Sequence, residues 1–520
     1  MSSQLILIGL DGADPDFILD HRAEFPFLSD LIARGGMGGL ASTLPPFTLT
    51  AWSTAMSGMN PGRTGVNCFP PEDFTSSRIE VDSGTVRVAR IWDMVSSLKG
   101  RAAVLNVPLT FPPSPLNGIM VSGFLAPPGT GKIVWPKDMK GILPDGYRTS
   151  LNFAEHRSRE EVFRKHLENF TNLQFSLARD ILKRESWNLF VFVFSGTDWI
   201  QHYYGLKSGS DEDKTAQYFA EIDRRLGELC REHSKADLIV LSDHGFGKVP
   251  SRSVALNAWL IREGYLKPTA RRGKKRLLPS QDRLRNLGRL PLAGTVRRLL
   301  PAAFRGKILR RVRPQAGDIE RESSPVHFAL FMSHTGYLRI RPGPGGEEER
   351  IRLRNELIAK LERLNSEAPG GPIFREIITR EEAFPGPHSA TFPDLILDFS
   401  PEWTGGESLS GKIFSVIPRA ARPAPTHRRR GVLIAAGPSF RRGWATEARL
   451  EDVVPTICAT LGIPLPEKAD GRVLGEILLE DRSDQAGKKA YVRTDSESHG
   501  WSEEERREVQ GRLTALGYLD

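Results

Sequence analysis

Short runs of apolar, largely β-branched residues recur along the chain, each ending in or near Gly, Asp or Pro. The runs occupy residues 5–10, 102–107, 118–122, 189–194, 237–241, 393–399 and 431–436. Their hydrophobicity is continuous rather than alternating, which predicts strands buried on both faces, as in a parallel sheet covered by helices. Helical periodicity lies between these runs, as at residues 159–182 and 217–233. Strands that alternate with helices across most of the chain predict an α/β sandwich.

The composition of this 520-residue chain is that of a globular protein. No apolar run approaches the roughly 18 residues of a membrane span, and the cysteines, Cys68, Cys230 and Cys458, are too few for a disulfide framework. The run at 5–10 has neither a basic flank nor a small-residue cleavage site, so it does not predict a signal peptide. We therefore expect a soluble protein of a reducing compartment, with a cytoplasmic location.

Positive charge is concentrated in one segment. Residues 267–313 contain 16 Lys or Arg and a single acid, Asp282, which gives a local net charge of +15, whereas the whole chain carries +9. Apolar positions at helical spacing around Pro301 predict an inserted cap of short basic helices over residues 263–320. If the protein binds an anionic partner through its positive charge, we therefore expect the partner to bind this segment and not the body of the protein.

The insertion divides the chain into a discontinuous core, residues 1–262 and 321–480, with a tail over residues 481–520. Ser502 and Glu505 have the spacing of a capping box, which predicts that the tail ends in a helix.

Acidic and imidazole side chains follow several of the predicted strands. In an open α/β sheet, ligand groups gather beyond the carboxyl ends of the strands. A mixture of carboxylates and imidazoles suits zinc above all and manganese next. The adjacent pair in Asp243-His244 can reach two ions from a loop, which favours a site with two metal ions that contact both oxygens of an in-line displacement. The candidate ligands are Asp11, Asp198, His202, Asp243, His244 and His427.

A candidate nucleophile follows two consecutive prolines. Pro45 and Pro46 keep the chain extended, and a helix is predicted to begin at residues 48–51. Thr48 at the N-cap would hold its hydroxyl at the positive end of that helix, where an alkoxide is stabilised. Thr50 is the alternative if the helix begins two residues later. Taken singly, each candidate also has an ordinary interpretation: Thr48 as a helix cap, Asp198 with His202 as a solvated helical pair.

Taken together, the motifs are similar to those of the alkaline phosphatase superfamily, and most of all to its type I phosphodiesterase/nucleotide pyrophosphatase branch. The resemblance covers residues 5–480 and depends on the order of the motifs along the chain. The motifs are Gly9-Leu-Asp-Gly12, Pro46-Phe-Thr48 through Met56-Ser-Gly-Met-Asn-Pro-Gly62, Thr197-Asp-Trp-Ile-Gln-His202, Leu241-Ser-Asp-His-Gly-Phe246, and His427 before Gly431-Val-Leu-Ile434.

This resemblance implies a three-layer α/β/α sandwich with a mostly parallel central sheet. It further implies two divalent metal ions, with Zn2+ expected and Mn2+ the alternative. One ion would be held by Asp198, His202 and His427. The ligands of the other would be Asp11, Asp243, His244 and the Thr48 oxygen. Thr48 would attack phosphorus and form a phospho-enzyme that water resolves.

The sequence departs from the family pattern in two respects that bear on the substrate. Ala51 occupies the position, three residues after Thr48, at which the nucleotide pyrophosphatases resemble one another in having an Asn that contacts the phosphoryl group. No Arg stands where a monoester specialist would grip a doubly charged phosphate. Both differences leave the charge and identity of the substrate open.

We therefore expect hydrolysis of a phosphodiester or pyrophosphate bond in a nucleotide-like or other small substrate. Phosphomonoesterase or phosphomutase activity is the alternative within the superfamily, with residues 263–320 as a lid. A different class of function, binding of nucleic acid or an anionic surface through residues 267–313, is also open. That segment matches no nucleic-acid motif and contains a single aromatic residue, Phe304. The sequence does not indicate an oligomeric state.

Overall fold

The strands and helices below come from a computed structural model that describes residues 3–69, 81–127, 131–151, 159–204, 214–247, 250–269, 319–341, 343–418, 426–480, 487–494 and 502–515. Within these ranges the strands are β1 (Leu5–Leu10), β2 (Gly36–Ala41), β3 (Ala102–Leu105), β4 (Gly118–Val121), β5 (Val134–Trp135), β6 (Leu189–Phe194), β7 (Asp237–Leu241), β8 (Gly245–Gly247), β9 (Arg252–Ala255), β10 (Val326–Met332), β11 (Thr335–Ile340), β12 (Phe374–Thr379), β13 (Leu395–Phe399), β14 (Trp403–Gly406), β15 (Phe414–Val416), β16 (Thr426–Arg428), β17 (Arg430–Ala436), β18 (Glu447–Arg449), β19 (Leu465–Pro466) and β20 (Lys488–Lys489).

The α-helices in the same ranges are α1 (Pro15–Asp20), α2 (Pro26–Arg34), α3 (Thr48–Ser57), α4 (Pro61–Thr64), α5 (Ile91–Ser97), α6 (Glu160–Arg184), α7 (Gly196–Tyr204), α8 (Lys214–Cys230), α9 (Leu256–Arg262), α10 (Gly346–Ser366), α11 (Arg380–Ala383), α12 (Val453–Leu461) and α13 (Glu503–Ala515). Helices α6 and α8 confirm the two helical patterns that the sequence shows between its strands. None of the helices in the described part of the chain is both long and apolar enough to cross a bilayer.

A sheet of nine strands forms the centre of the molecule, in the order β18-β2-β17-β7-β1-β6-β3-β4-β5. The five adjacent strands β7, β1, β6, β3 and β4 are all parallel, which confirms the mostly parallel α/β prediction. On β1, Ile6 and Ile8 face one hydrophobic core, which contains residues of α2, α6 and α8. Leu5 and Leu7 face a second core, built with α3, α5 and α12. Helices therefore cover both faces of the sheet in a three-layer arrangement.

Two apolar runs depart from the prediction of parallel strands. Strand β17 belongs to the central sheet but is antiparallel to both of its neighbours, β7 and β2. Strand β13 lies outside this sheet, in an antiparallel sheet of order β10-β11-β13-β12. Both strands are buried on both faces, as predicted, but a continuous apolar run has the same appearance in either strand direction.

The antiparallel sheet packs with β9, β14, α9 and α10 around a hydrophobic core of its own. Among the contacts of this smaller unit with the rest of the chain, the rings of Phe331 and Phe47 meet edge to face at 5.4 Å. Phe47 directly precedes α3, so the contact lies beside the first residue of that helix.

The predicted basic cap at residues 263–320 lies almost entirely outside the described residues, and it stays a prediction. Its two flanks are described and lie side by side: Pro268 and Ile319 form an antiparallel bridge, and the amide of Glu320 donates to the carbonyl of Lys267 at 2.8 Å. The capping box before α13 is confirmed, because Ser502 and Glu505 exchange hydrogen bonds of 2.9 and 3.1 Å.

Candidate metal centre

All seven candidate residues meet at the carboxyl ends of three neighbouring strands. Asp11 follows β1, Asp198 and His202 lie on α7 directly after β6, and Asp243 and His244 follow β7. Adjacent parallel strands end at the same edge, which brings these loops together. The other two candidates, His427 on β16 and Thr48 at the start of α3, reach the same place from other elements.

The first group consists of Asp198, His202 and His427. Nε2 of each histidine lies 3.3 Å from Asp198 Oδ1, and the two Nε2 atoms are 3.0 Å apart. His427 Nδ1 lies 2.9 Å from the carbonyl oxygen of Pro46, which can only accept, so Nδ1 carries the ring proton. The lone pair of His427 Nε2 is therefore directed into the group, as in a metal ligand fixed by its other ring nitrogen.

The second group consists of Asp11, Asp243, His244 and Thr48. His244 Nε2 lies 3.3 Å from Asp243 Oδ2, 3.6 Å from Asp11 Oδ1 and 3.3 Å from Thr48 Oγ1. His244 Nδ1 donates to the carbonyl of Gly245 at 3.0 Å, which again leaves Nε2 as the coordinating nitrogen.

The two groups adjoin each other. The rings of His244 and His427 stack with centroids 3.6 Å apart. Ligand atoms of Asp198, His244 and His427 lie within 4.8 Å of one another, as do those of Asp11, Asp243 and His244. His244 therefore lies close enough to share an ion either with Asp198 of the first group or with Asp11 and Asp243 of the second.

Three buried carboxylate oxygens in the centre have no hydrogen-bond partner among the described residues: Asp11 Oδ1, Asp198 Oδ1 and Asp243 Oδ2. A buried charge without a partner is costly, and native proteins rarely retain one without a reason. Bound cations would satisfy all three oxygens at once. The residues present therefore fit the divalent ions that the resemblance implies.

Burial and neighbouring charges shift the pKa values of these carboxylates. Burial, reinforced by the neighbouring carboxylates, raises the pKa of Asp11 and Asp243 well above the ordinary value. Burial alone would also raise the pKa of Asp198, but the adjacent imidazoles of His202 and His427 outweigh it and lower that pKa below its usual range.

The buried imidazoles shift in the opposite direction. Burial is the main cause that lowers the pKa of His244, well below its ordinary value, and of His427. Both rings are neutral at physiological pH, which is the form that coordinates a metal ion.

Thr48 occupies a slightly different helix position from the one predicted. The N-cap residue is Phe47, which is extended, and Thr48 is the first residue with helical geometry. Its hydroxyl oxygen lies 3.3 Å from His244 Nε2. The helix does not begin two residues later, and the Thr50 hydroxyl donates to the carbonyl of Phe47 at 2.8 Å.

A close contact between α3 and β1 holds this helix against the strand ends. A Cβ atom on Gly9 would lie 2.2 Å from Trp52 Cη2, so only glycine permits the indole to pack there. Ala51, at the position where the resemblance implies an Asn, is fully buried in the apolar core and offers no polar group.

The sequence interpretation assigned no role to Ser242 or Phe246, although both lie in the Asp-His-Gly motif. Ser242 Oγ accepts a hydrogen bond from the amide of Ala13 at 2.8 Å and donates to the carbonyl of His244 at 2.5 Å. The Phe246 ring meets that of His202 edge to face at 5.0 Å. Their position in the sequence, next to the candidate ligands, is the signal from which a role in the site could have been predicted.

Buried carboxylates and imidazoles at parallel strand ends, beside a hydroxyl at a helix N-terminus, define a metal-dependent hydrolase of the alkaline phosphatase superfamily. The family described as type I phosphodiesterase / nucleotide pyrophosphatase matches residues 5–427, and the chain belongs to this family. No curated protein matches the sequence.

Two solved structures are similar to this chain. Phosphonoacetate hydrolase from Sinorhizobium meliloti 1021, in complex with phosphonoformate, is similar with a TM-score of 0.52 and 15% identity over 87% of this chain and 94% of that chain. Human ectonucleotide pyrophosphatase/phosphodiesterase 5 is similar with a TM-score of 0.49 and 14% identity over 92% of this chain and 100% of that chain. At 15% identity, the first similarity shows the fold alone.

Proposed function

We propose that this hydrolase cleaves a phosphodiester or pyrophosphate bond of a nucleotide-like or other small substrate, with Thr48 as the nucleophile. The observation that carries the proposal is the set of three buried carboxylate oxygens without partners, gathered beside the Thr48 hydroxyl and two neutral imidazoles.

Two divalent ions fit the two groups of side chains. Asp198, His202 and His427 would hold one ion, and the second group, with Thr48, the other. The mixture of oxygen and nitrogen donors favours zinc, with manganese as the alternative. When bound, such ions supply Lewis-acid stabilisation of the charge on the attacking and leaving oxygens.

The chain itself contributes the nucleophile and its setting. Thr48 stands in the first turn of α3, where the helix dipole favours a negatively charged oxygen. Its Oγ1 would form a bond to phosphorus as the bond to the leaving oxygen breaks, and water would then hydrolyse the phosphothreonine. Carbonyl contacts from Pro46 and Gly245 keep His427 and His244 oriented during both steps.

The charge of the site favours a phosphodiester over a phosphomonoester. Among the described residues, the ion-pair partners of Asp11, Asp198 and Asp243 are histidines and not Arg or Lys. A singly charged diester needs less positive charge than the dianion of a monoester. Apart from the metal ions, the described centre provides little to balance the second charge.

The proposal is tested by hydrolysis of an aryl phosphodiester and the matching aryl phosphomonoester, with zinc or manganese supplied. We expect faster turnover of the diester, and a loss of about 10³-fold or more in Thr48→Ala. Thr50→Val is the matched control, because it removes a hydroxyl of the same helix that donates to the carbonyl of Phe47, and it should stay within a few-fold of wild type.

A preference for the monoester, lost in Thr48→Ala, would keep the nucleophile and replace the substrate class by that of a phosphatase or mutase. Wild-type activity in Thr48→Ala would contradict the nucleophile assignment. If neither ester reacts, anionic binding through residues 267–313 becomes the next function to test.

A further inference from the structure

The turn that follows β1 is attached to helix α7 by two side chains. Thr197 Oγ1 donates to the carbonyl of Asp11 at 2.7 Å, and Gln201 Nε2 donates to the carbonyl of Gly12 at 2.8 Å. We call Thr197 and Gln201 the turn clamp. Both side chains are fully buried.

The opposite side of the same turn is bound to the loop after β7. The amide of Gly12 donates to Asp243 Oδ1 at 3.2 Å, and the amide of Ala13 donates to Ser242 Oγ at 2.8 Å. The turn therefore lies between two loops that both carry candidate ligands. Of these four hydrogen bonds, only the two from the turn clamp connect the turn to α7, the helix that carries Asp198 and His202.

The orientation of the Gln201 amide follows from its partners. Nε2 also donates to the carbonyl of Thr197 at 2.9 Å, and both acceptors are carbonyl oxygens, so the NH2 group faces them. Gln201 Oε1 is buried and has no hydrogen-bond partner in the described part of the chain. An unsatisfied buried acceptor such as Gln201 Oε1 is unfavourable for folding. The hydrogen bond from Nε2 to the turn gives a reason for a glutamine at this position.

Close packing gives this attachment a geometric role. Gly12 has a φ of +72°, and a Cβ atom there would lie 3.1 Å from both Asp198 Oδ1 and Gln201 Nε2. The turn thus approaches α7 so closely that side chains of the helix lie against the position that a side chain of residue 12 would take. Any movement of the turn would change the distance between Asp11 and Asp198.

We propose that the turn clamp consists of positioning residues that fix the separation of the two metal groups, by holding Asp11 against the helix that carries Asp198 and His202. This inference rests on the proposed two-metal function. Asp11 and Asp198 are both buried carboxylates, and like charges at close range repel each other. Without the turn clamp, Asp11 would move away from Asp198 and coordinate its ion poorly.

Metal binding tests the proposal without relying on activity. Zn2+ is titrated calorimetrically into chelator-treated protein, for wild type and the variants Thr197→Val, Thr197→Ser and Gln201→Met. We expect two ions per wild-type chain. Thr197→Val and Gln201→Met should raise the Kd of the weaker ion about 10- to 100-fold, the usual effect of losing a group that orients a ligand. Thr197→Ser retains the hydroxyl and should stay close to wild type.

Thr460→Val is the matched control, because the Thr460 hydroxyl is buried and donates to the carbonyl of Thr456 at 2.9 Å, inside α12 and away from the centre. It should leave both Kd values unchanged. Thermal unfolding of each variant shows whether the titrated protein is folded. If Thr197→Val does not fold, Gln201→Met still tests the proposal.

The proposal is overturned if folded Thr197→Val and Gln201→Met bind both ions within twofold of wild type, or if Thr460→Val weakens binding as much as they do. Either result would leave the two-metal function standing. Fewer than two ions in the wild type would instead reject the proposed function, and the role of the turn clamp with it.

Discussion

Buried carboxylates occur in two regions of this molecule with opposite surroundings. In the antiparallel sheet, Asp394 Oδ2 accepts the amide of Ile340 at 2.7 Å, and Oδ1 pairs with Arg350 and lies 3.7 Å from Arg380. In the metal centre, Asp243 Oδ2 is equally buried and has no such partner in the part of the chain that the structure describes.

The difference separates structural carboxylates from functional ones. A buried acid whose oxygens are all paired contributes to folding, or at least does not oppose it. Asp11 and Asp243 are buried together with unpaired oxygens and raised pKa values, so their ionised forms oppose folding, and a bound cation would offset that effect. Burial alone does not distinguish the two regions, but the partners of the oxygens do.

The largest expected effect lies in the metal centre. Asp198→Ala removes a ligand atom that lies close to His202 and His427, and we expect diesterase activity to fall by at least about 10³-fold, since bound metal supplies several kcal/mol of charge stabilisation. Metal-free stability near neutral pH should also fall modestly, because His202 and His427 lower the pKa of Asp198 and its ionised form therefore favours the folded state. Steady-state kinetics and urea unfolding in chelator check both parts. Activity within tenfold of wild type would reject Asp198 as a ligand.

The second expected effect is a loss of stability with little change in activity, and it concerns Asp394 beside the antiparallel sheet. Asp394→Ala removes one of the acidic partners of Arg350, which keeps Glu347 and Glu381, and leaves the buried amide of Ile340 without its acceptor. We therefore expect a loss of about 2 kcal/mol in the free energy of unfolding. Activity per folded molecule should stay within twofold of wild type. Urea unfolding followed by circular dichroism, with active-site titration, measures the two quantities. A loss of stability below about 1 kcal/mol would remove the contrast between the regions.

The strands that carry the site could be predicted from the sequence, because continuous apolar burial leaves an unambiguous pattern. The runs at 5–10, 189–194 and 237–241 coincide with β1, β6 and β7. Strand β2 was missed since its sequence is rich in glycine. That composition has a physical cause, as a Cβ atom on Gly38 would lie 1.9 Å from the carbonyl oxygen of Thr446.

The candidate ligands could be predicted because their chemistry is visible in single residues at strand ends. The contacts that orient them could not. Gln201 acts on a backbone carbonyl 189 residues away, and any amide at the same point of the fold would serve equally. The antiparallel direction of β17 was equally hidden, because it depends on the path of the chain before Arg430 and not on the strand's own residues.

The smallest expected effect concerns the pH dependence of the metal-free protein. Burial, together with the charge of Asp198, raises the pKa of Asp243, so the native state holds this proton more tightly than the unfolded chain does. Stability from this group is therefore present at low pH and is lost as the pH rises through the raised pKa. Asp243→Asn removes the charge but retains the acceptor for the Gly12 amide.

We therefore expect Asp243→Asn to melt a few degrees above wild type in chelator at pH 8, with a difference that shrinks as the pH falls toward the ordinary aspartate pKa of about 4. Zinc should reverse the order, because the wild-type carboxylate then has a cation to bind and the amide is a poorer ligand. Thermal unfolding across pH, with and without zinc, makes the comparison. A variant that melts below wild type in chelator at pH 8 would show that Asp243, like Asp394, supports the fold in its own right.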